Sequence, residues 1–236
     1  MKAALLALQF LTRLPLPAVA ASERDFAHAI RWFALAGVVV GALVAAAAFA
    51  GARRDPWAGA LLALIGWVWI TGALHLDGLG DIADGAGAAH GNRERLSAVL
   101  ADPHIGSFGV VAIGLQLIAK LVALRLFLAG HSPALLVLVP AIARIAPLGW
   151  ALALPPLHAG LGARMAGGAR GWVLALWSLL AIAAAWRWCP ALLVAAPAAM
   201  LWGLWLRRRI GGISGDGHGA GIELLETAML LAAACA

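Results

Sequence analysis

Residues 75–90 read HLDGLGDIADGAGAAH, and the aspartates in it, Asp77, Asp81 and Asp84, fall at i, i+4 and i+7. On a helix that spacing puts all three on one face. Three like charges on one stripe repel, and a lowered dielectric at a membrane boundary sharpens the repulsion. A cation among them removes the conflict, and ligation by oxygen alone points to a hard ion: Mg2+, Mn2+ or Ca2+, not Zn2+. The four glycines between and after them (Gly78, Gly80, Gly85, Gly87) let a phosphate or a second helix come close. A solvated acidic loop between two spans is the plainer alternative. Against it stands the apolar run Pro56–Leu76, which ends directly on the cluster; ionisable residues at membrane depth are functional by default.

A second constellation lies near the C-terminus, in GGISGDGHGAGIELLE. A glycine-rich turn ahead of a helix can cradle phosphate on its N–H groups. Without a GKS or GKT ending it is no nucleotide-binding P-loop. Asp216 and Glu223 can instead complete a metal site from another helix. Asp102 can add a further carboxylate. Lys120 and Arg144 sit inside apolar runs, where cations need a partner or a cavity. They can meet substrate phosphates or pair with the acids. For His75, His104 and His218 the expected role is structural, as interfacial histidines satisfied by hydrogen bonds.

These residues need a scaffold, and the composition specifies its solvent. Hydrophobic residues make up 64% of the 236 and charged ones only 12%, about half the share usual in soluble domains. Uncharged runs cover Trp32–Ala52, Pro56–Leu76, Leu126–Ala143 and Trp188–Leu206, of 21, 21, 18 and 19 residues. Spanning helices need about 20. Further spans are expected in Gly106–Ala129, in Gly171–Trp186 and from Ile222 onward. The expectation is therefore all-α: a polytopic integral membrane bundle of about 6–7 transmembrane helices, forming one domain over residues 1–236. Residues 3–14 read as an additional interfacial or re-entrant helix, ended by Pro15 and Pro17. Arg13, just ahead of those prolines, argues against a cleaved signal peptide. From Asn92 the sequence reads as an N-capped amphipathic helix. The GVVVG repeat of Gly37 and Gly41 reads as a helix-packing surface.

The net charge of +6 is spread over loops, which excludes a nucleic-acid patch. Sorted by the spans, eleven Lys and Arg fall on the side of the N-terminus and three opposite, which predicts a cytoplasmic N-terminus. The acidic loops then emerge on the same side. Cys189 and Cys235 have no metal-ligand spacing.

FLTRLPLP at 10–17, HLDGLGDIADG at 75–85, DPHIGSFG at 102–109 and GISGDGHGAGIELLE at 212–226 occur in that order. Together they resemble the cobalamin synthase family, adenosylcobinamide-GDP ribazoletransferases. The aspartate motif is also similar, more distantly, to CDP-alcohol phosphotransferases. The resemblance implies an Mg2+-dependent enzyme of the bacterial inner membrane with a cytoplasmic active site. Its substrates would be adenosylcobinamide-GDP and α-ribazole or α-ribazole 5′-phosphate, and GMP would leave. Asp77, Asp81 and Asp84 carry over as the acidic motif, with Asp84 the expected general base. Arg13, Lys120, Arg144, Asp216 and Glu223 are implied as substrate-binding candidates. The partners implied are small molecules and the lipid bilayer, and a homo-oligomer is compatible with this reading. Two rivals are a lipid-forming CDP-alcohol phosphotransferase and an ion-coupled transporter. A transporter places acids at mid-bilayer in repeated halves, and no internal repeat is present here.

Overall fold

The computed structural model describes residues 1–89, 96, 99, 102, 104–157 and 160–236. The helix expected from Asn92 lies almost wholly outside them. Among the described residues twelve α-helices account for the fold, and the only β-type pairing is an isolated bridge, Pro156 with Ile213.

Helix α1 (Lys2–Leu11) packs Ala7 and Leu11 into a core shared with Ile30 and Phe33. Phe10 stacks on Phe33 with centroids 6.0 Å apart. The helix stops at Thr12, whose hydroxyl donates back to the Leu8 carbonyl at 2.6 Å. The next residue leaves for another partner, the Arg13 N–H donating to the Ile70 carbonyl at 2.7 Å. The N-terminal helix is thus fastened to the bundle, as well as ended by its prolines.

Helix α2 (Glu23–His28) opens with a reciprocal Ser22–Asp25 capping box and runs through a 3-10 turn into α3 (Phe33–Ala52). Helix α4 (Pro56–Thr71) returns antiparallel to it, started by Pro56 and by Asp55, which accepts the N–H groups of Trp57 and Ala58. Gly37 and Gly41 do what their spacing suggests. A Cβ at Gly41 would lie 2.7 Å from the Val137 Cα, and one at Gly37 would strike the backbone at Pro140. The facing segment is a 3-10 turn (Pro133–Val137) followed by α7 (Leu138–Ala143).

The run Pro56–Leu76 is not one straight span. It breaks at Gly72 and Ala73, both left-handed (φ 61° and 58°), and α5 (Leu74–Ala89) leaves at 84° to α4. Left-handed backbone at alanine costs about 1–2 kcal/mol, so surrounding contacts must hold the bend. Arg13 supplies one, its side chain packed over Gly72 so closely that any Cβ there would collide with it.

Helix α6 (Ser107–Gly130) is the longest. After it, α7 and α8 (Ala146–Ala153) form one apolar stretch interrupted at Arg144. The expected span 126–143 is therefore displaced: its first residues end α6, and the crossing unit is Pro133–Ala153. Short α9 (Leu161–Ala166) ties to α2 by an Arg164–Glu23 ion pair. Helix α10 (Gly171–Trp188) and α11 (Ala195–Arg209) turn large apolar side chains outward, Trp172, Leu179, Trp186, Met200 and Leu201 among them. Helix α12 (Gly215–Ala234) is the hub, with twelve buried residues and contacts to α5, α6, α7 and α11. It starts seven residues before the expected Ile222, so the glycine-rich turn is helix.

Among the described residues, five helices are long and apolar enough to cross a membrane, or six counting the bent α4–α5 pair as one. This meets the lower end of the 6–7 expected. Helix α12 is not among them: its glycines, His218, Glu223 and Glu226 lower its hydropathy.

Candidate active site

Helix α5 crosses α12 at backbone contact. A Cβ at Gly78 would lie 2.8 Å from the Asp216 Cα, and one at Gly219 would lie 3.2 Å from the His75 Cα. The glycines of both motifs are therefore what lets the two acidic segments meet. That contact sets the Asp216 backbone against Gly78, which lies between Asp77 and Asp81.

Along α5 the three aspartates have different surroundings. Asp77 is exposed, Asp81 half-buried and Asp84 buried. Asp77, Asp81 and Asp216 have no hydrogen-bond or ion-pair partner among the described residues. Asp84 has two. Its oxygens accept the N–H groups of Gly106 at 2.7 Å and Gly109 at 2.9 Å, at the start of α6. Gly106 is the N-cap of α6 and has no side chain to cap with, so Asp84 does so from another helix. A Cβ at Gly106 or at Gly109 would collide with the Asp84 carboxylate. Both glycines of GSFG's neighbourhood thus make room for one acid.

Asp77 and Asp216 line a cavity of about 330 Å³. Phe10, Phe33, His75 and His218 are also on its wall, as is the turn at Ser214. The Ser214 hydroxyl accepts the Gly217 N–H at 3.0 Å and starts α12. Asp81 and Asp84 are not on this wall. A larger cavity, about 480 Å³, lies among α7, α8, α10 and α11 and is lined by apolar residues apart from Ser178 and Arg207. It is separate from the aspartates.

Lys120, Arg144 and Glu223 are also brought together, but elsewhere. The Lys120 ammonium donates to Glu223 at 2.6 Å and to Glu226 at 2.7 Å. Arg144 donates to the other Glu226 oxygen at 2.6 Å and reaches His75 Nδ1 at 3.3 Å. Gln116 donates to Glu223 and to the Thr227 hydroxyl. Side-chain exposure in the four charged residues is at most 5%, and two cations balance two anions. Of the two readings open for Lys120 and Arg144, pairing with the acids is realised, and neither cation lines the cavity. Glu226 went unassigned in the sequence. The signal for it was present, since two cations inside spans call for two anions.

Two more candidates stand apart. Arg13 is exposed at the α4–α5 bend, off the cavity wall. Asp102 is exposed and engaged by His104, whose N–H donates to it at 2.9 Å and whose ring lies at 2.7 Å. Those contacts hold its carboxyl below the usual range. His104 is hydrogen-bonded as expected, but the other two histidines depart from expectation: His75 Nε2 and His218 Nδ1 are buried without a hydrogen-bond partner among the described residues.

The donor set suits a hard divalent cation: three carboxylates without protein partners among the described residues, on two helices in contact. Among the described residues, no three His, Cys, Asp or Glu side chains are already gathered at ligand spacing.

Comparison with known proteins bears on the whole chain. It is 56% identical to an adenosylcobinamide-GDP ribazoletransferase of Novosphingobium aromaticivorans, covering 99% of this chain and 96% of that one. It is 51% identical to the protein of that name from Thiobacillus denitrificans, over 99% and 95%. The corresponding figure for Brevibacillus brevis is 33%, over 98% and 97%. No solved structure matches. The sequence pattern of the cobalamin-5-phosphate synthase family runs over residues 3–234, from the first turn of α1 to the last residue of α12, and so takes in both acidic helices and the buried ion network. The chain belongs to that family.

Proposed function

We propose that the protein is an adenosylcobinamide-GDP ribazoletransferase of the cytoplasmic membrane. The observation that carries this is the coincidence of a whole-chain family match with carboxylates from two helices, without partners among the described residues, beside one cavity. A ribose hydroxyl of α-ribazole, or of its 5′-phosphate, attacks the β-phosphorus of adenosylcobinamide-GDP. The bond from that phosphorus to the bridging oxygen breaks, and GMP leaves. Asp77 and Asp81, one helical turn apart, would hold Mg2+, which neutralises charge on the diphosphate oxygens when bound. Asp216, on the cavity wall from the opposite helix, is placed to accept the hydroxyl proton. This moves the base from Asp84, whose two oxygens already serve the start of α6. Asp84 becomes a positioning residue for that helix. The apolar part of the wall, Phe10, Leu11 and Phe33, excludes water from the reacting atoms. The reading is tested by incubating purified protein with adenosylcobinamide-GDP, α-ribazole and Mg2+. GMP release dependent on all three is expected, and its absence overturns the assignment.

The charge count supports a cytoplasmic N-terminus and active site. Ala21, Arg54, Ser132 and Arg208 are all exposed, which makes them suitable reporters. With Cys235 replaced by Ser, cysteines at Ala21 and Arg208 are expected to resist an impermeant thiol reagent in intact cells. Cysteines at Arg54 and Ser132 should react. The reverse labelling would turn the molecule over.

A further inference from the structure

The larger cavity, about 480 Å³, has the size of a ligand site and lies apart from Asp77 and Asp216. Its wall offers two polar side chains, Ser178 and Arg207, since the Trp150 indole N–H is held by the Ala199 carbonyl at 2.9 Å. A buried water needs several polar partners, and apolar cavities stay dry. The wall therefore favours an apolar occupant. The way in is sideways. Helices α10 and α11 are consecutive but do not pack along their lengths. Ile182, Met200 and Leu204, which line the space from these two helices, are 52%, 64% and 48% exposed. Both helices also turn Leu179, Trp186 and Leu201 outward, so the opening is toward lipid.

The shape of the space points to a chain. On α10 the wall runs from Leu174 to Ala185 and on α11 from Ala195 to Arg207, a length of roughly 17–18 Å at the rise of an α-helix. One leaflet supplies about 15 Å of a bilayer's hydrocarbon, half its thickness. The space thus matches the depth of one leaflet. At one end stands Arg207, exposed, in the last turn of α11, with no hydrogen bond or ion pair among the described residues. No Asp or Glu among the described residues is on the wall. Arg208 and Arg209 are exposed beside it and raise the positive charge at that end, but they stand off the wall. A guanidinium at the mouth of an apolar slot complements a phosphate above an acyl chain. We propose that this cavity binds an anionic glycerophospholipid, with one acyl chain between α10 and α11 and the phosphate against Arg207. The lipid closes a gap that the two helices leave open, and the site does not depend on the transferase reading.

Full-length protein, delipidated in mild detergent and titrated with phosphatidylglycerol, is expected to bind one lipid per chain tightly, as read by native mass spectrometry. Phosphatidylcholine with the same acyl chains should bind more weakly. Arg207→Gln should weaken phosphatidylglycerol binding by about 10-fold, the scale of one hydrogen bond to a charged group. Arg208→Gln removes the same charge one residue away, off the wall, and should stay near wild type. Ala181→Trp places a large ring inside the cavity and should abolish binding with little change in Tm. Equal losses in the two arginine variants overturn the proposal, as does equal binding of the two lipids. Lipid retained by a folded Ala181→Trp protein also overturns it. So does displacement of the lipid by adenosylcobinamide-GDP, which would give the cavity to the substrate. The arginine variants change an exposed helix end, so they decide the matter even where the tryptophan variant does not fold. None of these measurements reads GMP release, so failure of the transferase reading would leave their outcome intact.

Discussion

Asp77→Asn and Asp216→Asn should each lower the rate of GMP release by about 10²–10⁴-fold, the range typical for loss of a catalytic acid–base group. Both carboxylates line the same cavity, from helices in backbone contact, and neither has a protein partner among the described residues. Removing one charge relieves repulsion within the cluster, so the Tm should hold or rise. The two variants should differ in Mg2+ response. A lost ligand shifts the Mg2+ dependence upward, as expected for Asp77→Asn, whereas a lost base leaves it in place, as expected for Asp216→Asn. Asp84→Asn should behave differently from both. It replaces one of the two carboxylate oxygens, each of which accepts one N–H of α6, with an amide nitrogen that cannot accept, and an unmade buried hydrogen bond costs about 1–3 kcal/mol. Its main effect should be a lowered Tm, with residual activity of unchanged Mg2+ dependence. A Mg2+ titration of GMP release beside thermal unfolding separates the three. An Asp84→Asn variant with wild-type Tm and an Asp77-like loss of rate would return Asp84 to the chemistry.

The largest stability effect should come from the buried network. Arg144→Met leaves one Glu226 oxygen and His75 Nδ1 without their partner. Breaking a buried ion pair from one side costs about 3–5 kcal/mol, a large share of the roughly 5–15 kcal/mol by which a typical domain is stable. Adding Glu226→Leu restores neutrality, leaving Lys120 paired with Glu223, and should recover much of the loss. Folded yield in the membrane and Tm in detergent for both single variants and the double variant test this. A double variant less stable than Arg144→Met alone would show that the pair does not act as a unit.

What could be read from residues alone follows from what has a side-chain signature. Apolar runs placed the bundle, the glycines of GVVVG placed a close helix contact, and the aspartate spacing implied one helical stripe. The break at Gly72–Ala73 was hidden, because Pro56–Leu76 has the length and hydropathy of one span and alanine gives no warning of a left-handed residue. The start of α12 was hidden for the opposite reason. Glycine is among the poorest helix formers, so Gly215 to Gly221 reads as a loop. Close packing on α5 overrides that propensity, and only glycine permits the packing. The partner of Asp84 had no signature at all, being main-chain N–H. The destination of Lys120 and Arg144 was open until the position of Glu226 was known.

The ion network joins residues 120 and 144 to residues 223 and 226. During synthesis the two cations leave the ribosome about 80–100 residues before either anion does. At a helix centre each unpaired cation costs about 2.5–3.5 kcal/mol on the scale set by the insertion machinery. Helices α6 and α7 therefore enter the bilayer carrying a debt that only the last helix can cancel. Until α12 arrives, the nascent bundle is electrically incomplete, and its earlier helices have reason to stay shallow, tilted or held by the translocation apparatus. The carboxyl-terminal helix that brings Asp216 to the cavity is thus also the step that completes assembly, so a chain cut short before it would lack both that carboxylate and a neutral interior.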